Sequence, residues 1–118
     1  MRKVGQEAEA IAVSYLSRLG YKILGQNITY TFGELDIIAR DQDILVFIEV
    51  KHRRNSNFGA PYEAVTKTKQ QKIILAAKAY LQKFKNTIPA CRFDVISLVG
   101  DLKKPEIEHI SDAFWVES

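Results

Sequence analysis

Apolar residues recur at helical spacing through Ala8, Ile11, Ala12, Tyr15, Leu16 and Leu19, and Gly20 closes the run, which predicts a helix over 4–19. At roughly 100° per residue, Glu9 falls on the border of that apolar stripe beside Leu16, whereas Glu7 lies further round toward solvent. Glu9 is therefore the acid placed to reach a site beneath the helix. The pattern then becomes strand-like. A first strand is expected over 21–30, followed by two runs rich in β-branched and large apolar residues, 33–38 and 45–51, on either side of the turn-forming cluster Asp41-Gln42-Asp43. Residues 52–61 contain Asn, Ser, Gly and Pro without periodicity and predict a mobile loop. A long helix over 66–84 turns Ile73, Ile74, Ala76, Ala77, Tyr80, Leu81 and Phe84 toward a core, and Pro89 ends that region. Strands over 92–99 and 107–110 flank a turn at 100–105, and Phe114-Trp115 is expected to fold back as a lid. The order is α-β-β-β-α-β-β, without repeat, linker or low-complexity segment.

The register of the central hairpin carries the chemistry. If Gln42 and Asp43 form a two-residue loop, Asp41 pairs with Ile44, Asp36 lies opposite Glu49, and Glu34 faces Lys51. All four charges then project from one face at the open end. A four-residue loop preserves this pairing, and a three-residue loop without a bulge destroys it. On the other face, Leu35, Ile37, Val46, Ile48 and Val50 are apolar throughout and should carry a helix. The charged face grades into Ile38, Leu45 and Phe47 toward the turn, as a buried site opening to solvent would.

Carboxylates beside an ammonium, among apolar neighbours, suit a hard divalent cation. Magnesium or manganese (Mg2+ or Mn2+) prefers oxygen ligands and keeps several waters, so Asp36, Glu49 and the backbone carbonyl of Val50 are sufficient protein ligands. Lys51 shares the face of Glu49 and can approach a phosphate oxygen or a metal-bound water. Surrounding carboxylates favour its charged form, which assigns it to positioning and charge stabilisation before general-base work. Plainer roles stand beside these. Glu49 with Lys51 is also a common strand-surface pair, Glu34 serves equally as a salt-bridge partner of Lys51, and an acid such as Glu9 is most often a solvated helix residue. His52 and His109 read as ordinary surface residues, and Cys91 as a small apolar residue opening a strand.

Composition narrows the setting. With 118 residues, 47% of them hydrophobic, the chain fits a single domain over 1–118 with one core. Its one cysteine excludes an internal disulfide and a cysteine-rich zinc site, and suits a reducing compartment. Glu7 and Glu9 stand where a signal peptide needs its apolar stretch, and no run approaches membrane-spanning length, so a cytoplasmic protein without a membrane partner is expected. The formal net charge of +3 is unevenly spread. Residues 51–85 hold nine Lys or Arg against one acid, and the remainder holds 8 basic and 13 acidic residues. Such a segment draws a polyanion toward the site, although lysines also serve simply to keep a helix solvated.

These features bring a family into view. The chain resembles the PD-(D/E)xK nuclease superfamily and, within it, the YraN-like bacterial family. The likeness runs from Gly5 to about Leu81 through Glu9-x-x-Ala12-x-x-Tyr15-Leu16, Leu19-Gly20-Tyr21, Asn27, Phe32-Gly33-Glu34-Leu35-Asp36, Phe47-Ile48-Glu49-Val50-Lys51-x-Arg53, Phe58-Gly59 and Glu63-Ala64-Val65. The resemblance implies a restriction-endonuclease-like α/β fold, a central mixed sheet flanked by helices. It also implies a metal-dependent endonuclease in which Asp36, Glu49 and Lys51 take the catalytic positions and Glu9 takes the helix acid that assists with metal. Thr29 and Thr31 stand where arginines are expected in many relatives, and Ala8 where a glycine is. Arg53, Arg54, Lys69 and Lys72 are the candidates for phosphate contacts with nucleic acid, DNA ahead of RNA, recognised by structure or without selectivity. One domain of this size carries a single site, so cutting both strands requires a homodimer or two visits. The alternative is a non-catalytic nucleic-acid- or partner-binding module that retains the nuclease fold.

Overall fold

The structure is a computed structural model that describes residues 3–55 and 65–115. Helix α1 spans Lys3–Arg18. It ends where Gly20 takes a φ of 92°, the left-handed geometry that lets Tyr21 N–H return to the Leu16 carbonyl at 3.0 Å. Leu19, expected on the apolar stripe, lies beyond the last helical turn and is exposed. Strands β1 (Lys22–Tyr30), β2 (Gly33–Asp41) and β3 (Ile44–Arg53) follow, then helix α2 (Lys67–Leu81) and strands β4 (Cys91–Val99) and β5 (Glu106–Phe114). They form a five-stranded sheet in the order β1-β2-β3-β4-β5, antiparallel except for the parallel pair β3–β4, which α2 joins by crossover. This is the expected α/β arrangement, with one helix on each face.

Two apolar layers hold the helices to the sheet. Ala8, Ala12 and Leu16 of α1 cover Ile37, Ala39, Val46, Ile48, Ile96 and Leu98. On the opposite face, Ile73, Ala76 and Ala77 of α2 pack over Ile38, Leu45, Phe47, Phe93 and Val95. Phe47, Phe93 and Phe114 stack in sequence there, with centroids 5.5 and 5.0 Å apart. The small alanines let both helix backbones approach the sheet closely.

Several expectations are corrected. The loop expected from His52 begins later, because pairing with β4 carries β3 on to Arg53; its remainder from 56 lies outside the described residues. Helix α2 is shorter than 66–84. Thr66 caps it, its side chain accepting from Lys69 N–H at 3.1 Å, and the helix ends at Leu81 although Phe84 still packs on the core. Phe114 is no lid but a β5 residue paired with Phe93, and Trp115 is exposed. Cys91 opens β4 but is exposed. Leu35 lies on the α2 face and not with Ile37. The β2–β3 ladder ends at Ile37–Ile48, while Asn27, with φ 52°, separates the β1 pairings to Ile37 and Leu35; β2 is thereby free to turn over at Asp36.

A polar network missed by the sequence reading ties the layers together. Asp94 is completely buried and accepts from Arg92 Nε at 3.0 Å, His109 Nε2 at 2.8 Å and Asp112 N–H at 2.9 Å. Tyr15 donates to His109 Nδ1 at 3.1 Å, and Arg92 also reaches Tyr21 and Asp41. His109 is thus an inward-facing brace and not the surface residue expected. Burial alone would raise the Asp94 pKa, but the bonds from His109, Arg92 and Asp112 outweigh it and hold the carboxyl below its usual range. Both sheet edges are irregular: β1 shifts register between Ile23 and Gly25, and β5 pairs across a shift between Phe93 and Val95 with Asp112 at φ 57°.

Two stability predictions follow from these contacts. A β-carbon on Gly33 would lie 2.5 Å from the Lys72 carbonyl oxygen, so Gly33→Ala should lower unfolding stability by about 1–3 kcal/mol in urea titrations. Asp94→Ala strands Arg92 and His109 without their shared acceptor and should cost about 3 kcal/mol near neutral pH. Since the folded Asp94 pKa is lowered, its stabilising contribution is present above the unfolded value of 3.8 and fades as pH falls below it, where parent and variant should converge.

Candidate functional site

The two-residue turn at Gln42-Asp43 forms as expected, with Gln42 at φ 55°, and pairs Asp41 with Ile44 through Ile37 with Ile48. Beyond Ile37 the ladder gives way to a side chain. Asp36 Oδ2 accepts the backbone N–H of Val50 at 3.0 Å, which anchors the carboxylate to β3. Asp36 and Glu49 are in hydrogen-bond contact, 8% and 4% exposed. Lys51 Nζ lies 3.7 Å from Glu49 Oε2. A cavity of about 170 Å³ opens here, lined by Glu9, Glu34, Asp36, Glu49, Val50, Lys51 and Lys69 among others. Glu9, 5% exposed, reaches it from α1 as its place on the stripe predicts.

Two carboxyl groups in contact inside a protein cannot both ionise cheaply. Burial raises the pKa of Asp36, opposed by the N–H of Val50. Glu49 is pushed up to about 8, first by burial and then by the charge of Asp36, with Lys69 and Lys51 pulling it down. Burial and proximity thus disfavour ionisation of both carboxyls at once, and the two titrate as a pair.

The basic candidates separate into different environments. Lys69, expected only to touch phosphate, places its Nζ 3.7 Å from Glu49 Oε2, as near as Lys51 does. Its position on the first turn of α2, beside a strand that approaches through Gly33, brings it there; no spacing in the chain announced it. Arg53 is engaged internally, with Glu108 at 3.4 Å and Ser97 Oγ at 3.3 Å, so it braces β3 against β4 and β5. Arg54 and Lys72 are exposed. His52 Nε2 donates to the Gly100 carbonyl at 2.8 Å. Glu34 accepts from Thr29 at 3.3 Å and lines the cavity.

Whether the site fits a divalent ion turns on its donors. Among the described residues no three His, Cys, Asp or Glu side chains gather into a cage. The acid pair with the Val50 carbonyl makes an all-oxygen set, which suits magnesium or manganese retaining waters. A larger groove of about 470 Å³ along α2, between Lys67, Ile74, Leu75, Lys78 and Trp115, has no acid among its described lining residues. Among the described residues no helix is long and apolar enough to cross a membrane.

A model of the uncharacterised protein family UPF0102 matches residues 8–98, and the chain belongs to that family. It is 49% identical over 114 residues to a UPF0102 protein of Geotalea daltonii, covering 96% of this chain and 90% of the relative. A UPF0102 protein of Chlorobium limicola is 43% identical over 121 residues, covering 98% and 94%. Another, from Psychromonas ingrahamii, is 46% identical over 110 residues, covering 93% and 88%. The matched span takes in Glu9, Asp36, Glu49, Lys51 and Lys69.

The acid pair sets a pH signature. Because the folded Glu49 pKa is raised, its contribution to stability is fully present below the unfolded value of 4.5 and is lost as pH rises toward about 8. In chelator-treated buffer, Glu49→Gln should remove this loss. Relative to the parent, the variant should gain stability as pH climbs through that window, reaching ~2 kcal/mol near its upper end in denaturant titrations.

Proposed function

We propose that the protein is a metal-dependent nuclease that hydrolyses nucleic-acid phosphodiester bonds in the cytoplasm, DNA ahead of RNA, structure-selectively or without selectivity. The observation that carries this reading is the buried contact between Asp36 and Glu49 at the mouth of a cavity that Lys51 and Lys69 also line, an acid pair that a bound divalent cation would stabilise. Asp36, Glu49 and the Val50 carbonyl are the residues that hold magnesium or manganese. A divalent ion there supplies Lewis acidity and lowers the pKa of a bound water. The likeness to the PD-(D/E)xK superfamily adds support, since it assigns the catalytic positions to Asp36, Glu49 and Lys51.

The chain's own groups then divide the work. Asp36 is kept oriented by the Val50 N–H, so the site does not depend on side-chain rotamer alone. With a cation held there, Asp36 and Glu49 would both serve in their ionised forms. Lys51 and Lys69, both beside Glu49, place two ammonium groups where a scissile phosphate gathers charge. Glu9 faces the same cavity from α1 and orients water. Arg54 and Lys72, exposed, hold the phosphate backbone on either side, which makes binding salt-dependent and largely independent of sequence. Arg53 contributes by fixing the end of β3.

The test is cleavage of labelled single-stranded, duplex and branched DNA, and of RNA, with magnesium or manganese. Product formation should vanish with chelator and fall by about 100-fold or more in Asp36→Ala, Glu49→Ala and Lys51→Ala. Cleavage unchanged in all three variants would assign the activity to a contaminant. Salt-dependent binding without turnover on any substrate would leave a binding module in place of an enzyme.

A further inference from the structure

The link between β1 and β2 is two residues, Thr31 and Phe32, and it places an aromatic ring where turn chemistry favours polar residues. Phe32 is 44% exposed. Its ring lies parallel to that of Tyr30, with centroids 5.6 Å apart and planes 8° from coincidence. Tyr30 in turn packs on the buried cluster beneath α2, so the stack stands on the core. The exposed ring is therefore held flat and oriented before any partner arrives.

Its location gives the stack meaning. Glu34 and Asp36, which line the acid cavity, are two and four residues further along the same strand. At about 3.3 Å per residue, the backbone of Phe32 is roughly 7 Å from that of Glu34. Gly33 lies against the Lys72 carbonyl, so the first turns of α2, with Lys69 and Lys72, run beside the tip. An exposed ring, a cavity of acids and a row of lysines thus occupy one side of the molecule. Leu19, Leu24, Leu75, Ile88 and Trp115 are also exposed, but none of them lines that cavity. Trp115, the other exposed Phe, Tyr or Trp ring among the described residues, belongs to the separate groove along α2.

We propose that the Tyr30–Phe32 stack is a platform for an unpaired base, so that the substrate class is single-stranded DNA or the single-stranded arm of a branched DNA, its phosphates drawn along the α2 lysines. Within continuous duplex a base already has both faces covered by its neighbours, and the platform gains nothing from it. An unpaired base lays one face on Phe32, as aromatic side chains do in single-strand-binding proteins. This inference rests on the nuclease reading for the nature of its ligand and adds to it the selection of structure.

The experiment measures equilibrium binding of the full chain, in chelator without added metal, to three DNAs of matched sequence: a single strand, a blunt duplex, and a duplex carrying a single-stranded flap. Phe32→Ala should weaken binding to the single strand and the flap by about tenfold, leaving the blunt duplex unchanged, and Phe32→Trp should retain the parent's preference. A 2-aminopurine in the single strand should be quenched by the parent and by Phe32→Trp but not by Phe32→Ala. Equal affinities of parent and Phe32→Ala for the single strand, or an equal loss on all three DNAs, would overturn the platform while leaving the nuclease reading standing. Failure of the parent to bind any of the three would remove the nucleic-acid reading itself, and the platform with it.

Discussion

The register between β2 and β3 is the constraint on which the site depends. Strand side chains alternate faces, so a slip of one residue would turn Asp36 away from Glu49 and bury an acid in one of the apolar layers. A two-residue turn prevents this, at the expense of a left-handed Gln42. Where the regular ladder stops, Asp36 continues it with its own carboxylate by accepting the Val50 N–H. Backbone pairing and the acid pair are consequently one structure, and the strands separate where the cavity opens.

That arrangement is intrinsically unfavourable, and the rest of the molecule offsets it. Burial works against both carboxyls, and two nearby lysines relieve only part of the effect. Elsewhere the same sheet buries Asp94 under opposite conditions, with a guanidinium, an imidazole and a backbone N–H all donating to it. Asp94 is satisfied and clamps α1, β4 and β5 together, whereas burial raises the pKa of both Asp36 and Glu49. A strained site beside a satisfied brace is the pattern expected where activity opposes stability.

Local chemistry was legible in the chain, and long-range convergence was not. The turn cluster around Gln42, the apolar stripe that tucks Glu9 inward and the alternation placing Asp36 with Glu49 all depend on residues close in sequence. The His109 brace depends on Tyr15 and Asp94, which come together only once β4 lies between β3 and β5 and α1 packs across them. The place of Lys69 beside Glu49 needed the crossover helix to return beside β2, and its lysine-rich surroundings marked it only as one of several phosphate contacts. Leu35 was assigned to the wrong face because strict alternation takes no account of a strand that rolls over when it loses a partner on one side and meets a left-handed residue on the other.

The irregular outer strands have a consequence for assembly. An exposed strand edge is a template on which another chain can extend the sheet, and a left-handed residue with a local register shift spoils the straight row of donors and acceptors this requires. One margin carries a register shift between Ile23 and Gly25 and the left-handed Asn27, and the other a shift beside the left-handed Asp112. These irregularities disfavour growth by strand addition at either edge. Association through helices or loops is favoured over edge pairing, and it leaves the sheet five strands wide.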